Sequence, residues 1–268
     1  MNHPTTAISP CCLTIAGSDS GGNAGVQADL RAFHAYGLHA CTVFTALTAQ
    51  NPFGVSAILP VSVDFLSAQL DAVLGVYAIR ALKTGMMAEP QIIECVAGKL
   101  SRHPEIAKVI DPVMVATSGA KLVSDAAIGV LKAQLLPLAR LVTPNLPEAR
   151  ELAGPKYANA TAEELAKILH DDLGVAVLVK GGHDDGNEVT DILCDEAGEI
   201  ARFGASRIEH PVSTHGTGCT LAAALAAELA LGRNLPEAVK GAKEHVHKAI
   251  SSSYLVGENC GVLGFVGR

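Results

Sequence analysis

The 268-residue chain has no tryptophan, and aromatic residues make up only 4% of it. Hydrophobic residues nevertheless account for 49%, so a large core must be built mainly from alanine, valine, leucine and isoleucine. Such a core is typical of helices packed on both faces of a parallel sheet. The length suits one large α/β domain and no low-complexity linker divides it, so we expect a single domain over residues 1–268.

The chain also lacks an excess of basic residues, since 20 Lys and Arg face 27 Asp and Glu and the formal net charge is −7. No basic stripe that would suit a nucleic-acid duplex is visible. The first ten residues lack the basic start and apolar run of a signal peptide. The most apolar stretch, residues 219–231, is shorter than the roughly 20 residues that span a bilayer. We therefore expect neither a nucleic-acid partner nor a membrane partner.

The chain also lacks paired cysteine motifs. The seven cysteines are odd in number and contain no CxxC pair. This pattern argues against a disulfide framework and against a zinc site, and most of the thiols are expected to be small core residues. The reducing cytoplasm is the expected location.

Short apolar runs alternate with helical patterns along the chain. The predicted strands cover residues 11–16, 40–48, 55–59, 79–85, 108–115, 139–144 and 175–182. Helices are predicted after the first glycine-rich turn, over 62–74, from near Pro90, over 124–136, from Thr161 to Gly174, after Gly218 and after Pro236. Residues 189–195 and 199–204 read as an antiparallel hairpin. The alternation predicts an α/β fold with a mostly parallel sheet, whose ligands bind beyond the carboxyl ends of the strands.

The strongest motif is STHGTGCTLAAALAAELA, residues 213–230, in which two glycines precede a long helix. Glycine lets a backbone approach a phosphate closely, and the unpaired amides of a helix start attract anions. We therefore predict that the amides of Gly216, Thr217, Gly218 and Cys219 hold a transferring phosphoryl group. A tight turn without a ligand is the alternative. A helix start lowers the pKa of a thiol, so the position of Cys219 would favour its thiolate. The alternative, which composition alone favours, is a small helix-packing residue.

A second motif, TPNLPEA, places Asn145 and Glu148 three residues apart at a predicted helix start. A carboxylate there can hold magnesium beside nucleotide phosphates. The alternative is a helix cap in which Asn145 is the capping residue and Glu148 complements the helix dipole.

Two further segments contain candidate polar residues. Residues 16–30 comprise a glycine-rich loop and the helix that it precedes, and they lack the GxGxxG spacing of a dinucleotide site. Asp29 on that helix could accept hydrogen bonds from a heterocycle. The alternative for Asp29 is a solvated surface carboxylate. Lys180 lies at a strand end before two glycines, where it could contact phosphate, or it could be an exposed lysine beside a turn.

Seven stretches occur in the order found in the hydroxymethylpyrimidine kinase family of thiamine synthesis, and together they cover roughly residues 13–250. The chain resembles this family through LTIAGSDSGGNAGVQADLRAF, TALTAQN, TGMMAE, DPVMVATSGAKL, LVTPNLPEARELAG, VLVKGGH and STHGTGCTLAAALAA. The resemblance implies a ribokinase-like three-layer α/β/α sandwich and a homodimer. It also implies two successive ATP- and Mg²⁺-dependent phosphorylations, first of 4-amino-5-hydroxymethyl-2-methylpyrimidine and then of its monophosphate.

The resemblance also implies roles for individual residues. The residues that it assigns to the pyrimidine site are Gly17, Asp29, Thr48, Gln50, Met86 and Val113. It assigns the catalytic position to Cys219, and the nucleotide and metal side to Asp111, Asn145, Glu148, Lys180 and Thr214, with Glu148 and Asp111 toward the metal. Residues 114–122 resemble a mobile flap. The chain departs from the family at Thr48, where valine is frequent, at Asn23, where glycine is frequent, and in a C-terminus without the usual GKGHGP stretch.

Two alternative functions remain open from the sequence. A pyridoxal kinase on the same scaffold would act on a hydroxymethyl group beside an aromatic nitrogen ring. A non-catalytic pyrimidine- or nucleotide-binding regulator would need the same pocket without turnover, and the intact glycine turn with Cys219 argues against it.

Overall fold

A computed structural model describes residues 9–114, 123–182 and 186–264. Within these ranges the chain forms a nine-stranded sheet with the strand order β3-β2-β1-β4-β5-β6-β7-β8-β9. Its strands are β1 Cys11–Asp19, β2 His39–Asn51, β3 Gly54–Pro60, β4 Ile79–Thr84, β5 Ala107–Ile110, β6 Leu141–Val142, β7 Ala176–Val179, β8 Glu188–Cys194 and β9 Ile200–Ser206. Six neighbouring strands are parallel, which confirms the prediction of a mostly parallel sheet; they are β2, β1, β4, β5, β6 and β7.

Both edges of the sheet are antiparallel. The predicted hairpin is β8 paired with β9, and a second antiparallel pair, β2 with β3, forms the opposite edge. The helices are α1 Gly25–Ala35, α2 Val63–Leu74, α3 Pro90–Leu100, α4 Asp125–Val130, α5 Leu146–Ala153, α6 Ala162–Leu173, α7 Thr217–Ala230 and α8 Leu235–Ser251. None of the described helices is long and apolar enough to cross a membrane.

The helices form a layer on each face of the sheet, because alternate side chains of every buried strand point to opposite faces. Cys11, Leu13 and Ile15 of β1 pack with the layer that contains α2, α3 and α6. Cys12 points the other way, into a cluster built largely from the alanines of α7 and from α1 and α8. The result is the expected three-layer α/β/α sandwich.

Several boundaries differ from the sequence prediction. The predicted helix over 124–136 is α4 followed by a π-helical turn, Leu131–Leu135, and a 3₁₀ turn, Leu136–Leu138, that contains Pro137. Proline has no N–H to continue a helix, so the tightened exit follows from the sequence. β5 and β6 are shorter than predicted. A hairpin that the pattern did not reveal, β10 Tyr254–Gly257 with β11 Cys260–Val262, follows α8.

Candidate active site

A cavity of about 1330 Å³ lies beyond the carboxyl ends of the parallel strands. It is lined by all but one of the residues singled out from the sequence, namely Gly17, Thr48, Gln50, Met86, Asp111, Val113, Asn145, Glu148, Lys180, Thr214, Gly216, Thr217, Gly218 and Cys219. The parallel topology gathers them because each lies near the carboxyl end of a strand or near the start of a helix at the same edge of the sheet. Small-molecule pockets typically measure about 300–1,000 Å³, so the volume suits two substrates side by side.

Asp19, at the end of β1, organises the glycine-rich loop. Its carboxylate accepts hydrogen bonds from the N–H groups of Gly21 at 2.8 Å, Asn23 at 2.9 Å and Ala24 at 2.8 Å. Burial acts to raise the pKa of Asp19, but the nearby His215 imidazole and these three donors lower it overall. The loop is therefore fixed around a carboxylate that stays ionised at neutral pH.

The predicted anion turn begins α7. Gly216 precedes the first helical residue with φ +88°, and a Cβ there would overlap the carbonyl oxygen of Asn23, so the position requires glycine. Gly216 has no side chain to cap the helix. The Thr217 N–H donates to the Thr214 carbonyl at 3.4 Å, whereas the uncapped amides of Gly218 and Cys219 belong to residues that line the cavity. A Cβ at Gly218 would lie 3.7 Å from Lys180 Nζ and 4.0 Å from Asp111 Oδ2. The turn and these two charged side chains therefore meet at one point.

Lys180 lies between two carboxylates. Its Nζ is 2.8 Å from Asp111 Oδ1 and 3.8 Å from Glu148 Oε2, and all three side chains are largely buried. Burial acts to lower the pKa of Lys180, but Asp111 and then Glu148 raise it overall. Burial raises the pKa of Glu148, while Lys180 opposes this shift. Two carboxylates thus face one ammonium, so this group carries one net negative charge whenever Glu148 is ionised.

Both interpretations of the Asn145 motif fit the structure. Asn145 Oδ1 accepts from the Glu148 N–H at 2.9 Å, and Glu148 Oε2 accepts from the Asn145 N–H at 2.8 Å, so the pair forms a capping box. The same Glu148 side chain lies in the cavity beside Lys180. The cap therefore orients a carboxylate that also borders the site.

Asp29 departs from both of its predicted positions. It does not line the cavity and is not exposed; its side chain is fully buried. Its two oxygens accept hydrogen bonds from Lys83 Nζ at 3.0 and 2.9 Å, and Thr14 Oγ1 donates to Oδ2 at 2.6 Å. Burial alone would lower the pKa of Lys83, but Asp29 raises it overall. The two form a buried ion pair in which Lys83, but not Asp29, borders the cavity.

Cys219 lies half-buried in the first turn of α7, as predicted, but the expected fall in its pKa is wrong. Burial raises the pKa of this thiol above its ordinary value of 9.0, and the carboxylates of Asp29 and Asp111 add to the shift. Lys83 and a hydrogen bond from the Gly25 N–H act in the opposite direction without reversing it. Cys219 is therefore mainly a thiol at neutral pH.

The opposite wall of the cavity is less polar. A Cβ on Gly17 would lie 2.6 Å from the terminal methyl of Met86, so the missing side chain makes room for Met86. Thr48 Oγ1 donates to the Ser18 carbonyl at 2.7 Å and lies 3.2 Å from Gln50 Oε1. This arrangement holds Gln50 at the end of β2 while its amide nitrogen can donate to a ligand.

The sequence model of the phosphomethylpyrimidine kinase family matches residues 19–264. The chain belongs to this family. Its members are kinases, so the protein is a phosphotransferase that uses ATP. The chain is 48% identical over 243 residues to the hydroxymethylpyrimidine/phosphomethylpyrimidine kinase of Rhizobium meliloti, a match that covers 90% of each chain.

Solved structures agree on the ribokinase-like fold. The crystal structure of phosphomethylpyrimidine kinase from Clostridium difficile matches with a TM-score of 0.78 and 38% identity, covering 90% of this chain and 99% of that one. The ADP complex of Bacillus subtilis pyridoxal kinase matches with a TM-score of 0.88 and 34% identity, covering 97% and 98%. The fold is thus shared by kinases with two different named substrates.

Sequence reasoning missed the far end of the cavity in this kinase. Lys243 on α8 donates to Asp191 on β8 at 2.8 Å, and the N–H of Gly181 donates to the other carboxylate oxygen at 2.8 Å. Val246 and Ile250 of the same helix add apolar surface to the wall. Apart from Gly181, these residues lie on the β8–β9 hairpin and on α8. No local sequence motif predicts that these two elements pack beside the cavity. The predicted flap over 114–122, apart from Met114, and His183 lie outside the described residues.

Proposed function

We propose that this protein transfers a phosphoryl group from ATP to the hydroxymethyl group of 4-amino-5-hydroxymethyl-2-methylpyrimidine, and then phosphorylates the monophosphate to the diphosphate, in thiamine biosynthesis. The observation that supports this most directly is the meeting of the glycine turn of α7 with Lys180 and Asp111 in the cavity. Open amides and an ammonium are the groups that stabilise a transferring phosphoryl group.

The aminopyrimidine would bind against the wall formed by Gly17, Thr48, Gln50, Met86 and Val113. Met86 and Val113 provide apolar contact for a ring, and Gln50 provides a paired donor and acceptor for a ring nitrogen and an amino group. Because Thr48 holds Gln50 by a 3.2 Å contact, the amide is oriented before a ligand arrives. The hydroxymethyl group would then point toward α7.

The nucleotide would occupy the other end of the cavity. Lys180 and the amides of Gly216, Thr217, Gly218 and Cys219 would contact its phosphates, with Asn145 and Thr214 beside them. The apolar side chains of Val246 and Ile250 are suited to the face of the base. The two substrates would therefore meet at the start of α7.

The carboxylates of Asp111 and Glu148 fit a magnesium ion. Mg²⁺ prefers oxygen ligands, and here two buried carboxylates share a single lysine and leave net negative charge. Asp111 and Glu148 would hold the ion, Glu148 being fixed by its capping box with Asn145. The chemistry that Mg²⁺ supplies in such sites is neutralisation of charge on phosphate oxygens.

Cys219 would remove the proton of the attacking alcohol. Its position in the first turn of α7 places the sulfur in the cavity beside the groups that hold the phosphoryl group. Because its pKa is raised, only a small fraction is thiolate at neutral pH, so a base role makes turnover of the alcohol increase with pH. The monophosphate is already largely ionised, since its second pKa is about 6, and needs no such base.

The deciding experiment is product analysis after incubation of the purified chain with the pyrimidine alcohol and Mg-ATP. Sequential appearance of monophosphate and diphosphate is expected. ATP consumption without phosphorylated pyrimidine would contradict the substrate, and binding of either ligand without ATP consumption would indicate a regulator. Pyridoxal should be assayed in parallel, because the fold also matches pyridoxal kinase. A higher kcat/KM for pyridoxal would overturn the assignment.

We also infer a homodimer in the cytoplasm. Leu47, Phe53, Leu59 and Phe65 form an exposed apolar surface around edge strand β3, with exposed fractions between 46% and 71%. Edge strands with apolar side chains are normally covered, and a second copy of the chain would cover this one. We expect a solution mass about twice the 27.6 kDa of one chain, and a shift to monomer in Leu59→Lys. The seven free thiols suit a reducing compartment.

A further inference from the structure

Cys11, His39 and Cys41 converge at the amino ends of β1 and β2, on the edge of the sheet opposite the kinase cavity. Cys11 is opposite His39 in the parallel register, and Leu13 is opposite Cys41. At about 3.3 Å per residue, the length of β1 separates Cys11 from Asp19 at the cavity by roughly 26 Å. The cluster is therefore independent of the site described above.

The three side chains bring ligand atoms together. One atom from each, the two Sγ atoms and an imidazole nitrogen, lies within 4.8 Å of the others, and the two sulfurs are 3.5 Å apart. With Zn–S bonds of about 2.3 Å, a tetrahedral centre places two sulfurs roughly 3.8 Å apart. The thiols are thus within a few tenths of an ångström of the spacing that such an ion needs.

The surroundings suit a metal site with one open side. Cys11 and Cys41 are 4% and 7% exposed and face the apolar layer of α2 and α3, so the sulfurs are shielded from solvent. His39 is exposed, which leaves a route for an ion. Its ring stacks on Tyr77 with centroids 5.6 Å apart and an interplanar angle of 12°. This contact restricts the imidazole before any ion binds.

We propose that Cys11, His39 and Cys41 bind a thiolate- and imidazole-preferring transition-metal ion such as Zn²⁺, with water in the fourth position. Binding would release the two thiol protons to solvent and would join β1 to β2 at their starts. The sequence spacing gives no sign of the site because the two cysteines are 30 residues apart and become neighbours only through strand pairing.

The test is titration of the reduced, metal-free chain with Co²⁺, followed by displacement with Zn²⁺. We expect one equivalent to bind with a thiolate-to-cobalt charge-transfer band and the intense visible bands of a tetrahedral ion. Cys11→Ser and Cys41→Ser should abolish the charge-transfer band. His39→Ala should weaken binding by more than the roughly 10–100-fold that follows loss of a supporting hydrogen bond to a ligand.

Two control variants separate this site from other thiols. Cys12→Ser changes the next residue, whose sulfur points to the opposite layer near the Ala226 carbonyl, and should leave the spectrum unchanged. Cys219→Ala removes the cavity thiol and should also leave it unchanged. Absence of the band in the wild type, or its persistence in Cys11→Ser, would overturn the proposal. So would a Cys11–Cys41 disulfide whose reduced form binds no metal, since the cluster would then be a thiol pair.

Discussion

Two lysine–carboxylate groups lie near the centre of the sheet, and they differ in charge balance and in solvent exposure. Lys83 and Asp29 are one ammonium and one carboxylate, both fully buried. Lys180 faces two carboxylates, Asp111 and Glu148, and keeps 12% of its side chain exposed. The first group is balanced in charge, although Lys83 borders the cavity. The second has one carboxylate in excess and remains partly exposed, which are the properties of a cation-binding site.

Cys219 lies between these two groups, and replacing it should give the largest effect. Cys219→Ala is expected to lower turnover of the alcohol by about 10²–10⁴-fold, the usual contribution of a general base. Turnover of the monophosphate should fall much less, because its attacking oxygen is already ionised. Steady-state kinetics on both substrates measures the difference.

The pH dependence sharpens the same prediction. Burial together with Asp29 and Asp111 raises the pKa of Cys219, so the thiolate fraction increases only as pH rises through values above 9.0. Alcohol turnover by the wild type should therefore still increase past pH 9, and this increase should be lost in Cys219→Ala. Equal slowing of both substrates with no change in pH profile would make Cys219 part of the anion turn only.

The second prediction breaks the buried pair. Lys83→Met leaves the Asp29 carboxylate without its cation in a fully buried position, which typically costs about 3–5 kcal/mol in the free energy of unfolding. Urea denaturation measures this loss. The double variant Lys83→Met/Asp29→Leu removes both charges and should recover part of it. If the single variant were as stable as the wild type, the Lys83–Asp29 ion pair would not contribute to the stability of the fold.

The third prediction applies the matching change to the cavity group. Lys180→Met should raise KM for ATP roughly 10–100-fold, as expected for loss of a charged hydrogen bond of about 1.5–3 kcal/mol. Its free energy of unfolding should fall less than that of Lys83→Met, because cavity water can solvate Asp111 and Glu148. A variant as unstable as Lys83→Met with an unchanged KM for ATP would show that both groups have the same structural role.

The sequence predicts much of the sheet and the site because these depend on local patterns. Apolar runs locate the strands, and the Thr161–Glu164 spacing predicts a capping box that the structure confirms. Asn145 caps α5 as the alternative interpretation of its motif expected, and the structure adds a reciprocal hydrogen bond from its N–H to Glu148. Ligands of parallel sheets bind beyond the carboxyl ends of the strands, and Lys180, Asp111 and the α7 turn lie there in one cavity. Each of these inferences needs only neighbouring residues and the parallel topology.

What the sequence could not predict depends on pairing between distant residues. Lys83 is 54 residues from Asp29, and nothing local marks either as a partner of the other. The predicted fall in the pKa of Cys219 is wrong for the same reason. The position of Cys219 in its helix can be read from neighbouring residues, but its burial and the charges of Asp29 and Asp111 depend on other elements. The C-terminal hairpin is too short for a reliable alternation pattern.

The smallest expected effect tests whether the negative charge of the cavity group binds magnesium. Glu148→Gln removes the charge while keeping a side chain that can complete a capping box, and Lys180 keeps Asp111 as its partner, so the free energy of unfolding should fall less than in Lys180→Met. The Mg²⁺ concentration for half-maximal activity should rise several-fold. The matched control is Glu164→Gln in the exposed capping box of α6, where the Thr161 N–H donates to the carboxylate at 2.8 Å; it should change neither quantity. An unchanged Mg²⁺ dependence in Glu148→Gln would make Glu148 a helix cap alone.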